Sequence, residues 1–413
     1  MGPREIKSAT VRRVLRGELC TGCGLCASVS EGAIRMAEQA PGYARPEATG
    51  APMPEGAERR IADACPGARI EPWTEKADVV DPYWGPLRTV ATGAATDPKT
   101  RYEGSSGGAV SALAIHALTS GMVDRVVHVG ADPEAPTRNA TVISRTPEDV
   151  IARAGSRYTA SSPLAGIIEA AAEGGRMAFI GKPCDVSALR RLARQDAKLA
   201  EAVPVMLSFF CAGIPSHGGV GRILAQMGVA ADEVTAFRYR GRGWPGMCAA
   251  ETKDGRTAEL TYAESWGGHL SKEVQFRCKI CPDAVGGVAD VACADAWYGD
   301  EDGYPAFEEA EGRSLVIART EVGQRLLESS VEAGEMEVTP LDPSEIDRMQ
   351  PGQTRRKRLV LARSLSLPLV LQPVPAMSGL MVARAARRAS PREAAQNLLG
   401  TLRRTLSGRR SRL

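Results

Sequence analysis

Residues 176–211 read RMAFIGKPCDVSALRRLARQDAKLAEAVPVMLSFFC, and this stretch decides the architecture. A short apolar run (MAFIG) leads into a longer amphipathic segment (DVSALRRLARQ). A second apolar run (VPVMLSFFC) follows it. Strand, helix, strand at this spacing is the unit of an α/β layer, with the two strands parallel neighbours. Each run ends in a cysteine, Cys184 and Cys211. Their thiols are therefore expected at one edge of the sheet, where such folds bind ligands.

The same alternation extends outward. RTVATGAAT, SGGAVSALAIHALTSG and VDRVVHVGA precede the central stretch, and SLVIART and EVGQRLLESSVEAG follow it. A largely parallel, mixed sheet with helices over it is expected from about residue 81 to 345, divided near residue 190. Residues 234–275 differ. AAETKDGRTAELTYAES alternates about Asp254-Gly255, the signature of a β-hairpin insertion. The fold class read here is α+β combined with α/β: a small cysteine-bearing domain over residues 1–80, the α/β domain, and a basic tail over 346–413.

The N-terminal domain carries LCTGCGLCASVSEG, Leu19–Gly32, in which Cys20, Cys23 and Cys26 form Cys-x2-Cys-x2-Cys. Two-cluster ferredoxins continue this run to a fourth Cys-Pro that serves their other cluster. Here Ser30-Glu31 stands in that place, and a distant Cys65-Pro66 completes a set of four thiols. The segment is read as a ferredoxin-like domain trimmed to one [4Fe-4S] cluster. A four-cysteine zinc site is the alternative, but such sites usually pair two Cys-x2-Cys hooks. A second set is assembled from Cys184, Cys211 and the Cys278-x2-Cys281 hook in FRCKICPD. From spacing alone, this set is equally a group of buried thiols. Cys248 and Cys293 lie among apolar or small residues and read as buried structural thiols.

Composition limits the other classes. Ten cysteines follow an N-terminus without an apolar signal segment, which points to a reducing, cytoplasmic compartment. A net charge of +3 and 5% aromatic residues give no footprint for nucleic acid. From Arg384 onward there are nine arginines against the single acid Glu393. Ser364–Ala383 is uncharged for twenty residues, enough to span a bilayer, but Pro368, Pro373 and Pro375 oppose a continuous helix. The tail is read either as a basic amphipathic segment touching an anionic membrane or an acidic partner, or as a solvated extension.

YEGSSGGAVSALAIHAL places Ser105, Ser106, Gly107 and Gly108 before an apolar-periodic helix, where small residues and free N–H groups suit a phosphate. An ordinary helix cap reads the same way. Together with GSRYTASSP (155–163), IGKPCDVSALRRL (180–192), FFCAGIPS (209–216), FRYRGRGWPG (237–246), ESWGGHL (264–270), FRCKICPD (276–283) and ADVACADAWYGDEDGY (289–304), these residues resemble a known family. It is the beta-subunit family of coenzyme F420-reducing hydrogenase and formate dehydrogenase, which includes 7-hydroxymethyl chlorophyll a reductase and ferredoxin-dependent divinyl chlorophyllide 8-vinyl reductases.

The resemblance implies an iron–sulfur flavoprotein oxidoreductase. It implies a second [4Fe-4S] cluster on Cys184, Cys211, Cys278 and Cys281. It also implies FAD held by Ser105–Gly108 with Arg157 and Tyr158. Ferredoxin or a similar low-potential donor would supply electrons for a small organic substrate. Lys182 stands where the family has threonine, so substrate identity does not carry over. His269 and Asp295 are the candidate proton donors, although a loop histidine and a backbone cap would read alike. Arg238, Arg240 and Arg242, if alternating on one strand face, would bind an anion or simply face water. Two other classes fit the same residues: an electron-transfer subunit whose chemistry occurs on a partner with coenzyme F420, and a non-catalytic protein stapled by metal.

Overall fold

A computed structural model describes residues 5–73, 79–297, 299 and 308–408. The end of ADVACADAWYGDEDGY and the arginines Arg409, Arg410 and Arg412 lie outside them. Fifteen strands are described. They are β1 (Ile34–Gln39), β2 (Tyr43–Ala48), β3 (Val79–Asp81), β4 (Gly85–Leu87), β5 (Thr89–Ala95), β6 (Arg125–Ala131), β7 (Asn139–Ser144) and β8 (Met177–Gly181). β9 (Val205–Phe209), β10 (Val234–Arg238), β11 (Cys248–Thr252), β12 (Thr257–Leu260), β13 (Val291–Asp295), β14 (Ser314–Ala318) and β15 (Met336–Pro340) follow.

Eight of them form the central sheet in the order β15-β5-β14-β13-β9-β8-β6-β7. β8 lies parallel to β9, with Ile180 opposite Leu207, as the strand–helix–strand reading requires. The sheet is less parallel than expected. Only β6–β8, β8–β9 and β9–β13 pair in parallel. β7, β14, β5 and β15 join antiparallel. β6 and β7 form a hairpin at one flank, and at the other β5 lies between β14 and β15, which the helix Glu321–Glu332 joins.

Strand alternation divides the apolar side chains between two faces. Ala178, Ile180, Val205, Leu207, Val316 and Ala318 meet the helices Ala109–Thr119 and Glu321–Glu332. Met177, Phe179 and Met206 face the helix Pro183–Ala193 and residues of the N-terminal segment, among them Val11, Leu25 and Ile61. Every residue of β8 is buried, which explains its unbroken apolar run. Because Ile61 and Leu189 share one core, residues 1–80 are not a detached unit. β10, β11 and β12 form a separate antiparallel sheet, with the turn at Asp254-Gly255 and Gly255 at φ +82°. Phe237, Cys248 and Leu260 of this sheet pack on Val220, Ile223 and Leu224 of the helix Gly218–Met227.

The basic tail is folded. The helix Pro391–Leu406 lies along the helix Pro351–Leu365, joined by Arg358–Glu393 at 2.9 Å and Arg363–Asn397 at 3.0 Å. Arg388 pairs with Asp347 at 2.7 Å and lies over the Tyr83 ring. The uncharged stretch is a loop interrupted by a short turn at Pro368–Val370, its prolines breaking the helix as anticipated. Leu367 and Leu380 are fully buried in it. Among the described residues no helix is long and apolar enough to cross a membrane.

Candidate functional site

One edge of the central sheet collects the chemistry. β5, β6, β8, β9 and β13 run in the same direction, so their C-terminal ends share that edge. A cleft of about 270 Å³ opens there. Its walls come from the loop after β5 (Gly104–Ser106, Gly108), the loop after β8 (Lys182, Asp185), the loop after β9 (Phe210–Pro215, including Cys211) and the end of β13 (Cys293–Asp295). This is the position at which open α/β sheets bind ligands.

The Ser105–Gly108 loop is pinned by its own side chains. Ser105 Oγ accepts from the Ser156 N–H at 2.5 Å, and Ser106 Oγ donates to the Arg313 carbonyl at 2.7 Å. The Gly107 N–H donates to Ser314 Oγ at 3.0 Å. A Cβ at Gly107 would stand 2.6 Å from the Gly93 carbonyl oxygen and 2.8 Å from the Ser314 nitrogen, so backbone on both sides excludes a side chain. Gly108, at φ +73°, starts the helix Ala109–Thr119 without a side-chain cap. The first-turn residues Ala109, Val110 and Ser111 line the cleft. An uncapped helix N-terminus facing a cleft is suited to an anion.

Arg157 and Tyr158 also line the cleft, but Arg157 is committed elsewhere. Its guanidinium donates to Asn139 Oδ1 (2.9 Å) and to the carbonyls of Phe237 (2.8 Å), Pro136 (2.7 Å) and Arg138 (2.6 Å). It fastens the β10 end to the 136–139 loop, and its fork is filled by backbone rather than free for a phosphate.

The three arginines do not share a strand face. β10 ends at Arg238, which pairs with Glu103 at 2.6 Å, and Arg242 is half exposed near Glu251. Arg240 alone turns into the cleft. It is 2% exposed, pairs with Asp295 Oδ2 at 2.7 Å, and lies about 5 Å from the rings of Trp244, Tyr262 and Trp297. Burial alone would lower its pKa, but Asp295, Tyr158 and Tyr262 together outweigh this and raise it. Its Nη2 is buried with no hydrogen-bond partner, leaving a donor for a ligand.

Of the two proposed proton donors, Asp295 reaches the cleft and is held by Arg240. His269 does not line it; its Nε2 meets Gln226 Oε1 at 2.6 Å on a neighbouring surface. Lys182 Nζ lies 2.7 Å from Asp185 and donates to Ser161 Oγ at 2.8 Å. Burial opposes its charge, but Asp185 together with Cys184 and Cys211 outweighs this, and the ammonium pKa is raised. Two cleft residues escaped the sequence reading. Asp185 lies in the first turn of its helix, and His128 sits mid-strand. His128 is buried and bonds Ser144 Oγ at 2.8 Å, and burial lowers its pKa to about 4.

Among the described residues no three His, Cys, Asp or Glu are drawn together as a single ion would require. Within each expected set the thiols act electrostatically on one another. Burial raises the Cys26 pKa, and the charges of Cys20, Cys23 and Cys65 each raise it further. Burial and Cys20 raise Cys65 to about 11. In the second set, burial with Cys278 and Cys281 raises Cys211 to about 12. Cys184 is raised by burial and Asp185, then by Cys211 and Cys278. Four soft donors in each set suit an iron–sulfur cluster.

The two sets are joined by direct contacts. Gln275 Nε2 donates to the Thr21 carbonyl at 3.5 Å, and Arg277 Nη2 donates to the Pro66 carbonyl at 3.0 Å. Leu19 packs with Phe276 and Ile280. Cys248 is buried in the small sheet, and Cys293 is buried in the cleft wall.

An α/β layer with a polar cleft at its strand ends defines a ligand-binding class of fold. Within that class the chain belongs to the coenzyme F420 hydrogenase/dehydrogenase beta-subunit family. Residues 90–169 match the N-terminal part of that subunit (Coenzyme F420 hydrogenase/dehydrogenase, beta subunit N-term), and residues 174–344 match its C terminus. The chain is 26% identical over 298 residues to coenzyme F420 hydrogenase subunit beta of Methanococcus voltae, covering 69% of this chain and 99% of that protein. It is 26% identical over 235 residues to the chloroplastic 7-hydroxymethyl chlorophyll a reductase of rice (Oryza sativa), covering 56% of this chain and 47% of that one. A chain of the F420-reducing [NiFe] hydrogenase complex from Methanosarcina barkeri has the same fold. Its TM-score is 0.54 at 22% identity, covering 70% of this chain and 96% of that one.

Proposed function

We propose that this chain is an iron–sulfur flavoprotein oxidoreductase. It takes electrons from ferredoxin or a similar low-potential donor and delivers them to a small organic substrate in the sheet-edge cleft. The observation that carries the reading is Cys211, which stands in the cleft wall while its partner loop, 275–281, bonds to the loops of the Cys20/Cys23/Cys26/Cys65 set. The first set would hold one [4Fe-4S] cluster, and Cys184, Cys211, Cys278 and Cys281 a second. Ser105–Gly108 and the uncapped helix behind them would seat the FAD phosphates, with Tyr158 beside them. Bound there, the clusters supply single-electron transfer and the flavin converts it to two-electron chemistry.

The residues of the cleft orient and exclude. Arg240 offers its free Nη2 to an anionic group of cofactor or substrate, while Asp295 and three aromatic rings fix its direction. Lys182, braced by Asp185 and Ser161, presents a second fixed charge. Asp295, at the same edge, remains the candidate for proton delivery, whereas the Gln226 contact of His269 sets that histidine apart. The folded tail stays a candidate peripheral contact to an anionic membrane or acidic partner through Arg403 and Arg404.

Anaerobic purification with iron, sulfide and flavin analysis tests the reading. About eight irons, eight sulfides and one FAD per chain are expected. A colourless protein without iron or flavin would end it. A second reading is favoured by the near-complete coverage of a hydrogenase subunit. In that reading the chain passes electrons within a larger complex that acts on coenzyme F420. Ferredoxin-driven turnover by the isolated chain would exclude it, and co-purification of a stable partner would support it.

A further inference from the structure

The helix Pro351–Leu365 lies beyond the family match, which ends at residue 344. It nonetheless closes over the second cysteine set. Gln353 Nε2 donates to the Cys211 carbonyl at 3.2 Å. Arg356 Nη1 donates to the same carbonyl at 2.8 Å, and its Nη2 donates to the Ala212 carbonyl at 2.5 Å. Lys357 Nζ donates to the carbonyl of Pro282, the residue after Cys281, at 2.5 Å. Two turns on, Arg363 Nη1 donates to the carbonyl of Lys279, between Cys278 and Cys281, at 2.8 Å. Spacings of three, four and seven place these side chains on one helix face. One helix thus grips the backbone that carries three of the four thiols.

The grip also brings charge. Among the described residues Arg356 has no acidic side chain within ion-pair distance, and its bonds to neutral carbonyls leave its charge uncancelled. Its field opposes that of negative charge on both Cys211 and Cys278. A guanidinium held by two successive carbonyls cannot swing away to water, so its effect at the sulfurs is fixed.

We propose that Arg356 is a positioning residue that raises the reduction potential of the cluster held by Cys184, Cys211, Cys278 and Cys281. This rests on the iron–sulfur reading given above. The step is a one-electron reduction: a low-potential donor loses one electron, the set gains it, and no bond or proton is exchanged. The set becomes one unit more negative, and the fixed cation favours that state. The consequence is an electron reservoir nearest the cleft, supplied by a segment outside the shared family core.

The test is an anaerobic redox titration of the full chain with dithionite, following the EPR signal of each reduced set. Wild type, Arg356→Lys and Arg356→Gln are compared. Arg356→Gln should lower one midpoint by ~59 mV, a tenfold loss of the reduced form for one electron. The other midpoint should not move, and Arg356→Lys should retain most of the wild-type value. Unchanged midpoints with both sets loaded would overturn the proposal. So would equal shifts in the Lys and Gln variants, which would mean that the two-pronged hold acts rather than the charge. If Arg356→Gln arrives with half its iron, Arg356→Met gives the reading instead: a lowered midpoint supports the proposal and an unmoved one overturns it. Wild-type protein carrying only four irons would remove the two-cluster reading on which the proposal rests, an outcome visible before any variant is made.

Discussion

Replacing both partners of the Arg240–Asp295 pair should cost less stability than the sum of the two single replacements. Arg240 is 2% exposed, and its Nη1 sits 2.7 Å from Asp295 Oδ2. Asp295→Ala strands a buried guanidinium, and breaking a buried pair from one side costs about 3–5 kcal/mol. The three rings about 5 Å away still attract the cation, so the low end, about 3 kcal/mol, is expected. Arg240→Met strands the carboxylate instead. Its side chain is 19% exposed toward the cleft, so the loss should be smaller, about 2 kcal/mol. In the double variant neither charge is left alone, and a coupling of about 2–3 kcal/mol should return. For a chain of 413 residues, about 3 kcal/mol corresponds to a fall of roughly 3–4 °C in Tm if it unfolds as one unit. Circular dichroism melts of the four proteins complete the cycle. Strictly additive losses would refute the reasoning, because they would mean that the pair carries no interaction of its own.

Cys65→Ser should remove about half of the iron, leaving about four atoms per chain. Ser30→Ala should keep all of it but lose about 1–3 kcal/mol, because Ser30 Oγ is the buried acceptor for the Ile34 N–H. Iron analysis beside denaturant melts separates the two. Gly107→Ala should lower the flavin-to-iron ratio without altering iron, since its Cβ collides with backbone at Gly93 and Ser314 in the proposed phosphate loop. The neutral form of His128 is favoured by burial, with a folded pKa of about 4 against 6.5. The unfolded chain therefore binds more protons between those values, so stability is complete above pH 6.5. It should fall by about 1.4 kcal/mol per unit as pH drops toward 4. His128→Gln should remove that part of the slope in melts taken at successive pH values.

The sequence was legible where the physics is local. The β8–helix–β9 unit and the hairpin at Asp254-Gly255 each follow from spacing and apolar periodicity. What was not legible depends on pairings between distant residues. Alternation cannot distinguish a parallel neighbour from an antiparallel one, so the reversed flanks β7, β14 and β15 were read as more of the same layer. FRYRGRGW alternates as a strand should, yet β10 stops at Arg238, and only the carboxylate at the end of β13 explains why Arg240 turns inward. The partners of Arg157 are equally hidden from the sequence. Four acceptors that fill its fork come from positions 136–139 and 237, which no local pattern connects to it.

The tail shows how composition misleads when charge is counted without partners. A segment rich in arginine reads as solvated because an exposed guanidinium needs nothing else. Here Arg356 and Arg363 spend their donors on carbonyls of the cysteine loops, while Arg358 and Arg388 meet Glu393 and Asp347. Loops that wrap a ligand at a sheet edge leave their carbonyls without strand partners, and a helix carrying long cationic donors can satisfy several at once. The same donors then place positive charge beside thiols that carry negative charge when they bind iron. On the proposal that this set holds a cluster, closing the backbone and favouring the reduced state would be one arrangement. A relative built without residues 346–408 would have to meet both needs with other side chains.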